Sequence, residues 1–153
     1  MNPSATWQSF QDKVIRREFR IAEGDAFSRA QLDAMLDRSL DAAIHGFIDR
    51  GGALTRGEPT IAEVSGGGSF LGSRRDRGEL SEAERRALVN EAERVGSALC
   101  ASGYFGPFGV DAFRFRDADG RDAFLPRCEI NARYTMGWAA GMGDSRPDLE
   151  VGE

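Results

Sequence analysis

The sequence predicts an α+β domain, a small antiparallel sheet carrying two main helices. Three observations predict it. Apolar residues recur at helical spacing over 28–50 and again over 81–102. A pair of β-forming runs, 103–115 and 121–133, flanks the turn-forming stretch DADG. The 153 residues are 41% apolar and 29% charged, enough to bury one core and stay soluble.

Residues 1–27 read as an N-terminal tail with aromatic anchors at Trp7 and Phe10. A strand is expected over 13–22, where Val14, Ile15, Phe19 and Ile21 are β-formers. Ser28 and Gln31 have capping-box spacing, so a helix is expected to start there. Leu32, Leu36, Leu40, Ala43, Ile44, Phe47 and Ile48 would form its buried stripe, ending at Gly51-Gly52. His45, the only histidine, sits beside this stripe and reads as structural, because metal sites need several convergent ligands.

Residues 53–65 read as short extended segments around a turn at Gly57-Glu58-Pro59. The stretch SGGGSFLGSRRDRG, 65–78, reads as a loop or hairpin tip. Its glycines and arginines would also suit a phosphate cradle, although no lysine-serine or lysine-threonine pair follows as in a P-loop. Ser81 and Glu84 form a second capping box, and Leu88, Ala92, Val95 and Leu99 mark the buried face of the second helix. Its charged residues, Glu84 and Glu91 among them, are expected in solvent, and Gly103 stops it. Residues 143–153 are polar and expected to fray.

The composition excludes several classes. A formal charge of -5 argues against a general nucleic-acid binder. Two cysteines, Cys100 and Cys128, do not make a disulfide scaffold and read as reduced, buried thiols of a cytoplasmic protein. No apolar run approaches the roughly 20 residues that span a bilayer, and the N-terminus lacks the apolar segment of a signal peptide.

The C-terminal hairpin carries the chemistry. A three-residue loop, 118–120, would put Gly120 in its left-handed position and Asp117 opposite Arg121. Gly109 then lies opposite Glu129 and Asp111 opposite Arg127, so that Asp111, Glu129 and Asn131 share one face with Asp111 and Glu129 diagonal. A four-residue loop would turn Asp111 to the other face. Two carboxylates and an amide oxygen on one face suit a hard cation such as magnesium. Arg133, two residues beyond Asn131, can face the same way, and its fork suits a phosphate.

The phrase GYFGPFGVDAFRFRDADGRDAFLPRCEINARYTMG resembles the end of the ATP-grasp domain, in which an aspartate on one strand is followed across a hairpin by Glu-x-Asn. The likeness covers 28–142 and is strongest over 50–142. It implies an ATP-grasp C-terminal subdomain-like fold. It further implies that Asp111, Glu129 and Asn131 bind Mg or Mn, with Glu129 bridging two ions, and that Glu129, Asn131 and Arg133 contact ATP. Arg133 is the implied catalytic residue. Such ligases activate a carboxylate as an acylphosphate for attack by an amine or thiol. The implied partners are ATP and a carboxylate substrate, with neither nucleic acid nor membrane. The family's nucleotide-binding lobe, with its lysines, lies mostly before this motif, where only Lys13 is found. A fragment, a split enzyme completed by a partner chain, or a decayed copy would each have this form. The alternative is a non-enzymatic cation-binding, nucleotide-binding or dimerisation module.

Overall fold

The computed structural model describes residues 37–66, 69–116 and 119–149. The strand expected over 13–22 and the cap expected at Ser28 lie outside the described residues. Six strands form one antiparallel sheet: β1 (Asp37–Ile48), β2 (Leu54–Arg56), β3 (Thr60–Val64), β4 (Phe70–Arg75), β5 (Gly106–Arg116) and β6 (Asp122–Asn131). The order is β4-β3-β1-β5-β6, with β2 pairing the far end of β1. Two helices are present among the described residues, α1 (Glu82–Ala101) and the short α2 (Trp138–Met142).

The first expected helix is not formed over its described part, because residues 37–48 are the central strand. Leu40, Ala42, Ile44 and Ile48 join the core under α1, whereas Phe47 packs with Trp138 and Met142 on the opposite side of the sheet. Both faces of β1 are covered, so its sequence is apolar at odd and even positions alike. A strand of that kind loses its alternation and mimics helical spacing. Gly46 was the contrary signal: a β-carbon there would stand 2.6 Å from the Phe108 ring and 3.2 Å from the Thr55 carbonyl oxygen.

The second helix forms as expected. Ser81 Oγ accepts from the Glu84 amide at 3.2 Å, and Glu84 Oε2 accepts from the Ser81 amide at 2.8 Å. Leu88, Ala92, Val95 and Leu99 are buried against Phe108, Val110 and Ala112 of β5. Gly103, with φ of 85°, ends the helix. Two of its carboxylates depart from the expected solvated face. Glu84 takes both arms of Arg114 on β5, at 2.7 and 2.6 Å. Glu91 is buried and paired with Arg127 of β6 at 3.1 Å. These pairs tie helix to sheet beside the apolar core.

Of the glycine-rich stretch, Phe70–Arg75 form β4 and pair with β3, and two of its arginines tie it to the fold. Arg74 pairs with Glu63 at 2.9 Å and with Glu79 at 2.6 Å. Arg75 donates to the Ala140 carbonyl at 3.0 Å, which pins α2 to β4. Residues 143–149, expected to fray, carry a cluster of their own: Tyr134 and Arg146 both donate to Asp148, at 3.2 and 2.8 Å. Cys100 and Cys128 are free thiols, Cys128 buried and Cys100 half-buried.

Candidate functional site

The hairpin register decides whether a site exists. Near the turn Arg116 pairs with Asp122 and Phe113 with Leu125, as the sequence predicts, and Gly120 takes a φ of 74°. Asp117 and Ala118 lie outside the described residues. Beyond Phe113 the register shifts by two, because β6 bulges around Pro126, which has no amide hydrogen for the ladder. A shift of two leaves every side chain on its expected face. Asp111 therefore stands directly opposite Glu129 instead of diagonal to it, and Gly109 faces Asn131 instead of Glu129.

β1 extends these rows, with Ala43 beside Asp111 and His45 beside Gly109. Asn131 Nδ2 donates to Asp111 Oδ2 at 3.0 Å, a bond that holds the amide against the carboxylate. Asp111, Glu129, Asn131 and Arg133 all line one cleft of about 510 Å³, on the sheet face opposite α1. Arg133 is exposed at its mouth and gives one guanidinium nitrogen to the Tyr134 carbonyl at 3.2 Å.

The donor set is two carboxylates and one amide, all hard oxygen donors, which fits magnesium or manganese better than zinc. No three His, Cys, Asp or Glu residues gather in metal-binding geometry among the described residues. The set consists of two acids completed by an amide.

Sequence reasoning missed part of the cleft. His45 lines its floor and is only 1% exposed. Burial lowers its pKa from 6.5 to about 4, so the imidazole is neutral at physiological pH. Its neighbours are glycines, and β-carbons built on Gly137 and Gly141 would each stand 2.7 Å from the ring. Thr135 and Ser73 line the cleft close by. At the other end Arg38 stacks over the Phe113 ring at 3.9 Å and bonds Asp41 at 3.0 Å. Once residues 37–48 are read as a strand, Asp41, Ala43 and His45 fall on one face by alternation, which is the signal that the helical reading hid.

No family model matches the chain, and neither does any curated protein. Solved structures do. Pyruvate carboxylase from Rhizobium etli (T882A, crystallized without acetyl coenzyme-A) matches with a TM-score of 0.51 and 21% identity, over 70% of this chain and 10% of that one. The biotin carboxylase domain of 2-oxoglutarate carboxylase from Hydrogenobacter thermophilus matches with a TM-score of 0.43 and 15% identity, over 71% of this chain and 20% of that one. D-alanyl-alanine synthetase A from Vibrio cholerae O1 gives 0.44 and 13%, over 76% and 34%. The chain thus spans a small part of each solved structure. The first likeness shows that, over the matched residues, this chain shares its fold with part of that pyruvate carboxylase.

Proposed function

We propose that the cleft is the metal- and phosphate-binding half of an ATP-dependent ligase site. It would activate a carboxylate as an acylphosphate for attack by an amine or thiol. The observation that carries this reading is the direct opposition of Asp111 and Glu129, with Asn131 bonded to Asp111 beside them. Opposite residues of an antiparallel pair have β-carbons roughly 5 Å apart, close enough to share one cation. Asp111, Glu129 and Asn131 would hold Mg or Mn, and Arg133 at the mouth would present its fork to the transferred phosphoryl group.

A bound divalent ion there would neutralise charge on the phosphoryl oxygens. The chain's own residues position and exclude. Arg133 would orient the phosphoryl oxygens, and the sheet floor under Asp111 and Glu129 would keep water from the backbone side. A substrate carboxylate oxygen forms a bond to the γ-phosphorus as the bond to ADP breaks. The nucleophile then attacks the acyl carbon, phosphate leaves, and the nucleophile's proton is lost.

The chain spans a small part of the pyruvate carboxylase it matches, so the remaining ATP contacts would come from elsewhere, from further sequence or from a partner chain. No helix among the described residues is long and apolar enough to cross a membrane. The proposal places the chain in the cytoplasm, where ATP and magnesium are at hand.

The test is isothermal titration of magnesium–ATP into the purified chain, beside a Glu129→Ala/Asn131→Ala double variant. Binding by the parent that the variant loses supports a working site. A folded parent that binds neither metal nor nucleotide removes the self-sufficient form of the proposal. Restored binding in a mixture with a second chain would establish the partner-dependent form.

A further inference from the structure

Arg133 and Thr135 line the cleft, and Tyr134 between them is anchored on other groups. Its ring packs edge-on against Trp138, with centroids 5.0 Å apart and planes at 88°. Trp138 packs in turn on Phe47 of β1 at 6.3 Å. The Tyr134 hydroxyl donates to Asp148 Oδ2 at 3.2 Å, and its carbonyl accepts from the Arg133 guanidinium at 3.2 Å. Tyr134 thus holds Arg133 through its backbone while its own ring and hydroxyl are both held.

Asp148 belongs to a stretch whose composition predicts fraying, yet its side chain is only 6% exposed. Arg146 grips it with two bonds, Nε to Oδ1 at 2.9 Å and a terminal nitrogen to Oδ2 at 2.8 Å. A carboxylate leaves water without penalty only when bonds of this kind replace its hydration. The Arg146 pair is local, between residues two apart, and ties nothing distant together. The Tyr134 bond spans 14 residues and joins this stretch to the turn that carries Arg133. The backbone under Asp148 is braced as well. The Ser145 amide donates to the Met142 carbonyl at 3.1 Å and the Leu149 amide to the Arg146 carbonyl at 3.0 Å. Arg75 of β4 holds the α2 end of the path through the Ala140 carbonyl at 3.0 Å.

We propose that Asp148 is a positioning residue for Arg133: by clamping the Tyr134 hydroxyl it orders the turn after β6, so that the Arg133 fork is offered to a phosphate already in place. What Arg133 meets rests on the ligase reading. Arg133 is exposed, and a free arginine loses much rotamer freedom when it binds. A turn ordered beforehand meets part of that loss during folding, which is the effect of preorganisation. Asp148 itself touches neither metal nor phosphate, and Arg146 offsets its charge beside a site meant for an anion.

Backbone ¹⁵N relaxation of the full chain tests the clamp without any ligand. Order parameters of the Arg133 and Tyr134 amides are expected at about 0.85 in the parent and to fall toward about 0.6 in Tyr134→Phe and in Asp148→Ala. Those of Asp111 and Glu129 should not change. Tyr134→Phe keeps the ring against Trp138 and loses only the hydroxyl, so it is expected to melt like the parent. Asp148→Ala breaks the same bond from the other side. Titration of magnesium–ATP reads the consequence. Both variants are expected to bind it about three- to tenfold more weakly, the cost of immobilising one long side chain on binding, with affinity for magnesium alone unchanged. Unchanged order at Arg133 in both variants, or an equal loss of order at Asp111 and Glu129, would overturn the positioning role. So would parent-like binding of magnesium–ATP by both variants where Arg133→Ala weakens it. Failure of the ligase reading looks different. A parent that binds no magnesium–ATP, or an Arg133→Ala variant that binds it as the parent does, removes the phosphate role of Arg133 even where relaxation shows the clamp intact.

Discussion

The side-chain amide of Asn131 donates to the carboxylate of Asp111 at 3.0 Å, joining two strands whose register shifts just beyond them. The bond commits the amide nitrogen to Asp111, and Oδ1 is the atom that would meet the proposed cation. Supporting hydrogen bonds of this kind typically change metal affinity 10–100-fold. Asn131→Asp keeps an oxygen but sets like charges side by side. Asn131→Leu removes both the bond and the proposed ligand oxygen. Magnesium affinity by titration is expected to fall at least about tenfold in Asn131→Leu, with the melting temperature nearly kept. A variant that binds magnesium as the parent does would remove Asn131 from the site.

Glu84 joins the helix cap to the sheet, and its acidity follows from that. The paired guanidinium of Arg114, with the Ser81 amide, holds its pKa near 2, against 4.5 for a free side chain. The group is depressed on folding, so its contribution is complete above about pH 4.5 and is lost as pH falls toward 2. Glu84→Gln is expected to cost about 1–3 kcal/mol at pH 7. It should also flatten the acid limb of a urea-denaturation series between pH 4.5 and 2. An unchanged acid limb would show that Arg114 does not hold Glu84 in solution.

How legible the molecule was depended on which faces were covered. The acidic pair and Asn131 were legible because side-chain alternation survives a register shift of two, even though the bulge at Pro126 made the pair direct instead of diagonal. The α1 cap was legible because Ser81 and Glu84 act locally. β1 was not, because a strand buried on both faces offers no alternation, and Ile44 and Phe47 serve opposite sides of the sheet. Reading β1 as a helix also hid His45, whose place in the cleft depends on strand pairing with Gly109. The Arg127–Glu91 pair was hidden for a similar reason: both look like surface charges until helix and hairpin are brought together.

His45 stays neutral to lower pH than a surface histidine. Burial lowers its pKa to about 4 from 6.5, so the unfolded chain binds a proton more readily than the folded one. The His45 contribution to stability is therefore expected to decline as pH falls from 6.5 toward 4 and to level off below that. Asp41, Asp111 and Glu129, with Arg38 and Arg133, line the same cleft and set the field around it. The direct check is the ¹⁵N spectrum of the imidazole, which should stay neutral down to about pH 5. A midpoint near 6.5 would mean that the ring is open to water.

The glycines around His45 exist to make room for the ring, and a double-mutant cycle can show it. In Gly137→Ala the new β-carbon would lie 2.7 Å from His45 Cε1 and 3.0 Å from Nε2, well inside contact distance. Overpacking of this kind costs typically about 1–3 kcal/mol. The closest approaches are to His45, with Ser73 Oγ next at 3.3 Å, so trimming His45 should relieve most of the clash. His45→Ala alone leaves a cavity and is expected to destabilise by about 2 kcal/mol or more. In the double variant the Gly137→Ala penalty should largely vanish, giving a coupling energy of about 1–2 kcal/mol in denaturant titrations. Additive losses would instead place the cost of Gly137→Ala in the backbone. Gly137 would then be a turn residue, and the packing of His45 beneath it would not be what requires glycine there.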